Sequence, residues 1–369
     1  MILLGSGNKN LREEILVRSV GAQYVGMNSL SCKPGSARSL TYAAGLIRVL
    51  KDAHRTFEFD LVHFVDYSMN LLIYPLLKRS LRVPLVSDLH VQASTREIEP
   101  GLRSPLFRWV IYLLYEELAL RFSDGIITPT QELQQLLATR YDRSIFSIPN
   151  CVSFQSGEES TDHRVPARPD KLRRELDRIP EHLVFFHANF FLDRAIREAV
   201  RLMAVVREVR ARGYPVELWI AGPGSYRLGN LDEFTLNLGY VSNPFDYLAI
   251  SDLVILPLKD RTLGLHSRLV DAMTAGKPVV ASREACCGLL RYLQDSGIVV
   301  CDSLNGMVIS TCALLDDPIK RKSLGERNSR LAKLLFSQQA VGLALERAYR
   351  AILEGMHTRN VLKPSAIQI

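Results

Sequence analysis

No Cys-x-x-Cys pair occurs in these 369 residues. The six cysteines, Cys32, Cys151, Cys286, Cys287, Cys301 and Cys312, are scattered, and two of them are adjacent. That spacing excludes a paired-cysteine zinc site and a disulfide framework, and it fits reduced thiols in a cytoplasmic compartment. No run of 18 apolar residues occurs, so no membrane-spanning helix is expected. The greasiest stretch, PLFRWVIYLLYEELALRF, is broken by Arg108, Glu116 and Glu117. It reads as a core helix between strands, with contact to a bilayer surface as the other reading. The amino-terminal MILLGSGNKNLREE lacks the basic flank and long apolar core of a signal peptide. Also missing are Gly-x4-Gly-Lys-Ser/Thr, Gly-x-Ser-x-Gly and His-Glu-x-x-His, which removes the P-loop, the serine-hydrolase elbow and the zinc-protease helix.

What is there reads as a folded α/β protein. Hydrophobic residues make up 47% and charged residues 23% of the chain, and the length exceeds that of one ordinary core, so two domains are expected. Net charge is +7. Residues 1–160 carry 17 basic and 16 acidic side chains, leaving 29 and 23 for the rest. The excess in the second half fits an anionic ligand there, or the solvated helix faces KLRRELDR and KRKSLGERNSR. The arginines sit among Leu, Glu and Ala rather than aromatics, so no nucleic-acid partner is expected. Short apolar runs (MILL, AQYVGM, LVHFV, PLVSD, GIIT, SIFSIP; then LVFFHA, VELWIAG, LNLGYV, LVILP, PVVAS, GIVVC) alternate with helical patterns through both halves. That alternation predicts parallel sheets covered on both faces, in two doubly wound domains. Domain limits of 1–155 and 181–340 follow, with a linker at 156–180 inside a polar, non-periodic stretch and a flexible tail at 357–369.

The run SRLVDAMTAGKPVVAS, Ser267 to Ser282, is the most informative. Ser267 is expected to cap a short helix whose apolar face is Leu269, Val270 and Met273; Gly276 ends it and Pro278 prevents its continuation. A helix that starts beside the carboxyl ends of parallel strands points its amides where ligands bind, and Gly264 in the preceding loop lets backbone approach a phosphate. Asp271, one turn in, is suited to accept from ribose hydroxyls; equally, it favours the helix dipole.

The motifs, taken in order, resemble the family-4 glycosyltransferases of the GT-B fold. DLVILPL, a glycine loop and LVDAMTAGKPVVAS resemble that family's nucleotide-sugar site. RFSDGIITPTQEL, SIPNCVSF, VELWIAGPG, LGYVSNPFDYLAISDLVILPL and ALERAYRAILEG stand along the chain in family order, and the match covers about residues 60 to 355. The resemblance implies two Rossmann-like domains facing a cleft. The N-terminal one handles the acceptor and the C-terminal one the nucleotide sugar, and a closing helix at 341–356 packs back on the first. The nucleotide sugar is then a substrate, and no cofactor is expected. Lack of any Asp-x-Asp argues against the metal-bridged diphosphate of the other major glycosyltransferase fold, so no metal site is expected either.

Site residues carry over position by position. Asp271 falls on the family's second Glu, which binds ribose; the first Glu, which helps hold the donor sugar, falls on Leu263. The diphosphate-clamping Arg falls on Asn189 and the Lys on Arg194, so one cation is kept and one is lost. Arg194 has a second reading as a helix-start ion pair with Glu198. Arg268, just inside the helix after the glycine loop, is expected to supply the missing charge. Gly222 and Gly224 fall on the Gly-x-Gly turn, and Tyr240 and Val241 on the Gly-x-Val loop beside the base. Gly264, Leu265, His266 and Ser267 form the loop and helix start around the diphosphate. His90, past the strand in VSDLH, takes the role of the His near the transferred sugar, or is a satisfied loop residue. Gly5, Gly7 and Lys9 in LGSGNKN lie where the family has a glycine loop near the acceptor; a tight turn that opens a helix explains them too. The implied reaction is transfer with retention from a UDP- or GDP-sugar to a glycan, lipid-linked or other hydroxyl acceptor, with His90 and Arg194 closest to the chemistry. Three rivals stand beside it: a nucleotide-sugar-binding subunit with weak or no activity, a GT-B-like nucleotide-sugar epimerase, and a two-domain small-ligand binding protein.

Overall fold

The computed structural model describes residues 2–6, 23–27, 38–65, 73–89, 105–152, 180–259 and 263–361. These fall into two units, one built from Met1–Leu89, Val110–Ile126 and Ile352–Ile369, the other from His90–Trp109 and Ile127–Ala351.

In the first unit β1 (Ile2–Ser6) and β2 (Gln23–Met27) pair in parallel, with Gly5 opposite Gly26. The strand runs two residues past MILL, so Gly5 belongs to the sheet and not to the loop in which the sequence placed it. After α1 (Arg38–Phe57) come β3 (Val62–Val65), α2 (Ile73–Leu81) and β4 (Leu85–Asp88), with β3 and β4 parallel. Helix α3 (Pro105–Phe122) carries the apolar stretch noted above. Its Ala119 and Leu120 are 1% exposed, which makes its carboxyl end part of a core. Asp124 accepts from the Leu85 amide at 2.9 Å and pairs with Lys78, fixing the entry to β5 (Gly125–Thr128) beside β4. The division between the units runs through β5. The strand order is β3-β4-β5-β6, with β6 at Ser144–Ser147. Between β5 and β6 lies α4 (Gln131–Ala138), whose N-cap Thr130 accepts from the Leu133 amide at 3.2 Å.

The second unit carries the sheet that positions the site. Its strands are β7 (His182–His187), β8 (Val216–Ala221), β9 (Thr235–Gly239), β10 (Val254–Leu256), β11 (Val279–Ser282) and β12 (Ile298–Cys301). Two parallel triplets, β7-β8-β9 and β10-β11-β12, meet at the bridge Val184–Leu253. The Leu183 amide donates to Asp252 Oδ2 at 2.8 Å, and the Asp252 amide donates to the Leu183 carbonyl at 2.9 Å. The spatial order is therefore β9-β8-β7-β10-β11-β12, the 3-2-1-4-5-6 order of a dinucleotide-type fold.

Alternation along the strands sorts side chains to two faces. Leu183, Phe185, Trp219, Ala221 and Val279 pack under α6 (Pro244–Ile250), α7 (Ser267–Thr274) and α9 (Pro318–Phe336). Val184, Phe186, Leu218, Ile220 and Val280 pack under α5 (Asp193–Ala211) and α8 (Leu304–Leu315). At about 1.5–3 kcal/mol for each large apolar side chain fully buried, these two faces supply most of the unit's cohesion. Helix α10 (Gln338–Val361) closes the described chain. Its Ile352 lies where Gly125 has no side chain: a Cβ there would come within 2.2 Å of Ile352 Cδ1.

Candidate donor site at the strand switch point

In an open parallel sheet the two strands at which the order reverses diverge at their carboxyl ends and leave a crevice. Here those strands are β7 and β10. The first ends at His187 and is followed by the turn Ala188–Leu192 and α5. The second is followed by the loop that reaches α7.

The turn after β7 is held tightly against the one after β8. The Ala188 amide donates to the Ala221 carbonyl at 3.0 Å and the Phe190 amide to the Pro223 carbonyl at 2.9 Å. Gly222 has φ +137°, and a Cβ there would sit 1.9 Å from the Ala188 oxygen. Only glycine fits that close approach. Gly224 follows against the Phe190–Phe191 backbone. Asn189 accepts from the Phe191 amide through Oδ1 at 3.1 Å, so its side chain closes this turn and brings no cation.

Two polar pairs occupy the two sides of β7. On the α7 side, His187 Nε2 lies 3.2 Å from Asp271 Oδ2. An ionised carboxylate only accepts, so Nε2 is the donor. The imidazole stacks on Phe185, centroids 5.7 Å apart and planes 17° apart, and Phe185 stacks in turn on Tyr247. On the α5 side, Glu198 is 4% exposed. It receives Arg268, whose guanidinium also lies 4.7 Å over the Phe186 ring, and Arg194 Nε at 3.7 Å. The helix-start ion pair expected of Arg194 is therefore present. Arg268 faces Glu198 and the Phe186 ring, and its side chain is 15% exposed. His266, beside these two arginines, has its pKa lowered to about 4, first by burial and then by the charges of Arg268 and Arg194; a backbone bond at Glu284 opposes this. It stays a neutral imidazole at physiological pH.

Helix α7 departs from expectation at its start. His266, not Ser267, occupies the N-cap position, and no side chain caps the first turn. Ser267 has become the first helical residue and is exposed. The start is pulled back one residue because the His266 carbonyl already accepts the Leu269 and Val270 amides at 3.1 and 3.2 Å. Its end matches: Gly276 at φ +67° closes a Schellman turn, with its own amide on Met273 and the Lys277 amide on Ala272.

Arg194, Asn189, Gly222, Gly224, Gly264, His266, Arg268 and Asp271 all stand on the carboxyl-end loops or the helix starts after them. Gly264 is buried, and the side chains of Leu265 and Val241 pack on the core. Tyr240 is 76% exposed. The sequence reading missed His187 and Thr130. The second donates its hydroxyl to the Leu263 carbonyl at 2.5 Å, holding the glycine loop where the expected Glu is absent. His187 immediately precedes Ala188–Asn189 in the place of the family's Gly-Arg, which was the available signal. His90, Gly7 and Lys9 lie outside the described residues. Among the described residues no cluster of three His, Cys, Asp or Glu side chains is placed to hold a metal ion, and no helix is long and apolar enough to cross a membrane.

Comparison with known proteins agrees with this geometry. The family Glycosyltransferase Family 4 matches residues 5–156, and Glycosyl transferases group 1 matches residues 181–317. Sucrose-phosphate synthase from Thermosynechococcus elongatus is similar in structure, with TM-score 0.65, 14% identity, 96% of this chain and 99% of that one covered. Anabaena HepE, solved in complex with UDP and glucose, gives TM-score 0.66 and 17% identity over 95% of this chain and 91% of its own. A glycosyltransferase from Rickettsia africae gives 0.65 and 15% over 99% and 90%. No curated protein matches the chain in sequence.

Proposed function

Since the chain is a family-4-type glycosyltransferase of the GT-B fold, we propose that it moves a sugar from a nucleoside-diphosphate donor to a hydroxyl acceptor, with retention and without a metal ion. What supports this is that Asp271, Arg194 and the uncapped start of α7 lie around the carboxyl ends of β7 and β10, Asp271 on one side of β7 and Arg194 on the other. Asp271 anchors the ribose. Departure of the nucleoside diphosphate builds negative charge on its β-phosphate, which Arg194 and the amides at Gly264–Arg268 stabilise. Arg194 is 31% exposed and shares Glu198 with Arg268, so of the two guanidinium groups it is the one presented to a ligand. Neutral His266 has no acidic proton to give up; the departing phosphate takes the acceptor's proton, and His90 bonds a sugar hydroxyl or phosphate oxygen. Donors in this reading are UDP- or GDP-sugars, as the UDP bound to HepE suggests. Acceptors are glycans or lipid-linked hydroxyls, in the cytoplasm and at the inner membrane face when the acceptor is a lipid, as in polysaccharide assembly.

The test is a thermal-shift panel of UDP, GDP, ADP and their sugars with and without EDTA, followed by acceptor trials with the donor that binds. One donor class should raise the melting temperature by mass action, unaffected by EDTA. A flat panel defeats the reading. Leu263 and Asn189, where the family has Glu and Arg, favour one second reading: a nucleotide-sugar binder without transfer. Binding with no turnover against any acceptor would select it, and conversion of the donor with no acceptor present would select an epimerase instead.

A further inference from the structure

On the assumption that the donor-site reading above holds, we propose that His187 is a specificity residue for the nucleoside. It holds the Asp271 carboxylate so that the free oxygen, Oδ1, is left to accept from a ribose hydroxyl.

Asp271 stands where the family pattern leads one to expect Glu, one methylene longer, and it is held from the sheet. His187 is the last residue of β7, on the same face as Phe185, and its Nε2 lies 3.2 Å from Asp271 Oδ2 across 84 positions of sequence. The ring cannot swing freely, because it is stacked on Phe185 at 17° and Phe185 is itself stacked on Tyr247. The two side chains are 18% and 16% exposed, so the pair is mostly buried but still reaches solvent.

Nε2–H is committed to Asp271 Oδ2, and the bonds of the two ring nitrogens diverge widely, so the other nitrogen turns away from the carboxylate. Asp271 keeps Oδ1 as an acceptor. An acceptor held in place suits a ligand that brings a hydroxyl proton, as a ribose does, and a sugar ring without hydroxyls would leave it unpaired.

The experiment measures binding by calorimetry. UDP, GDP and ADP are compared with their 2′,3′-dideoxy counterparts on the wild type, His187→Ala and His187→Gln. The wild type should prefer the ribonucleotide, and His187→Ala should weaken it by about tenfold, the size of one hydrogen bond to a charged group. The same variant should leave the dideoxy affinity unchanged, and His187→Gln, which keeps an N–H donor, should recover part of the loss. Equal loss for both ligands in His187→Ala would mean the ring only packs, and retention of full ribonucleotide affinity would mean it does nothing; either overturns the inference and leaves the donor site standing. If the wild type binds none of the three diphosphates, the donor-site reading fails and takes this inference with it.

Discussion

His266 is 9% exposed and titrates at about 4. In the unfolded chain it takes up a proton near pH 6.5, and in the folded chain only near 4. Stability is therefore complete above about pH 6.5 and falls as pH drops toward 4, by a total on the order of 3 kcal/mol. Urea denaturation of the wild type at pH 7.0 and 4.5, beside His266→Asn, should show a smaller drop in the variant; an identical drop would place the linked proton elsewhere. Asp271→Asn keeps the shape but removes the charge and one acceptor. Nucleoside diphosphate affinity should fall by about tenfold in calorimetry, the scale of a lost charged hydrogen bond. The thiols differ in the same physical terms. Burial pushes Cys286 up to about 12, whereas Cys151 is exposed. Iodoacetamide at pH 8 should modify Cys151 while Cys286 stays protonated and untouched until the protein unfolds, which peptide mass mapping would show.

At the level of helices, strands and turns, the glycines separate into two kinds. A methyl group at Gly222 collides with the Ala188 carbonyl at an already glycine-only φ, whereas one at Gly276 meets nothing closer than 3.8 Å and costs only left-handed strain. Gly222→Ala should lower stability by more than about 2 kcal/mol and Gly276→Ala by about 1–2, read as urea midpoints at constant slope. These elements were largely legible beforehand. The alternation in LVFFHA and VELWIAG marked strands, and the Gly276–Pro278 stop marked the end of α7, because such signals are local. The N-cap was misplaced because Ser is a good capping residue in isolation, and tertiary contacts around buried His266 set the start instead. The His187–Asp271 and Glu198–Arg268 pairs were not legible. Their partners are 84 and 70 positions apart, and no local pattern reports a contact that only the sheet order creates.

For the molecule as a whole, two α/β units and a positively charged second half were readable from composition and alternation. The exact seam of the second unit was not, since strand order is a global choice among many compatible with the same runs. That seam is hydrogen-bonded at the Val184–Leu253 bridge and through Asp252, and both core faces pack across it. The same carboxylate lies 3.5 Å from Arg321 of α9, whose Nη1 donates to the Leu314 and Leu315 carbonyls at the end of α8. Asp252→Ala should cost about 1–3 kcal/mol in urea, because the Leu183 amide loses its acceptor.

Asp252 therefore ties three pieces of the unit at one point: β7 through the Leu183 amide, its own backbone at the mouth of β10, and α9 through Arg321. Leu183 and His187 share one strand, so a change at Asp252 is felt by the strand that carries the His187–Asp271 pair without touching either residue.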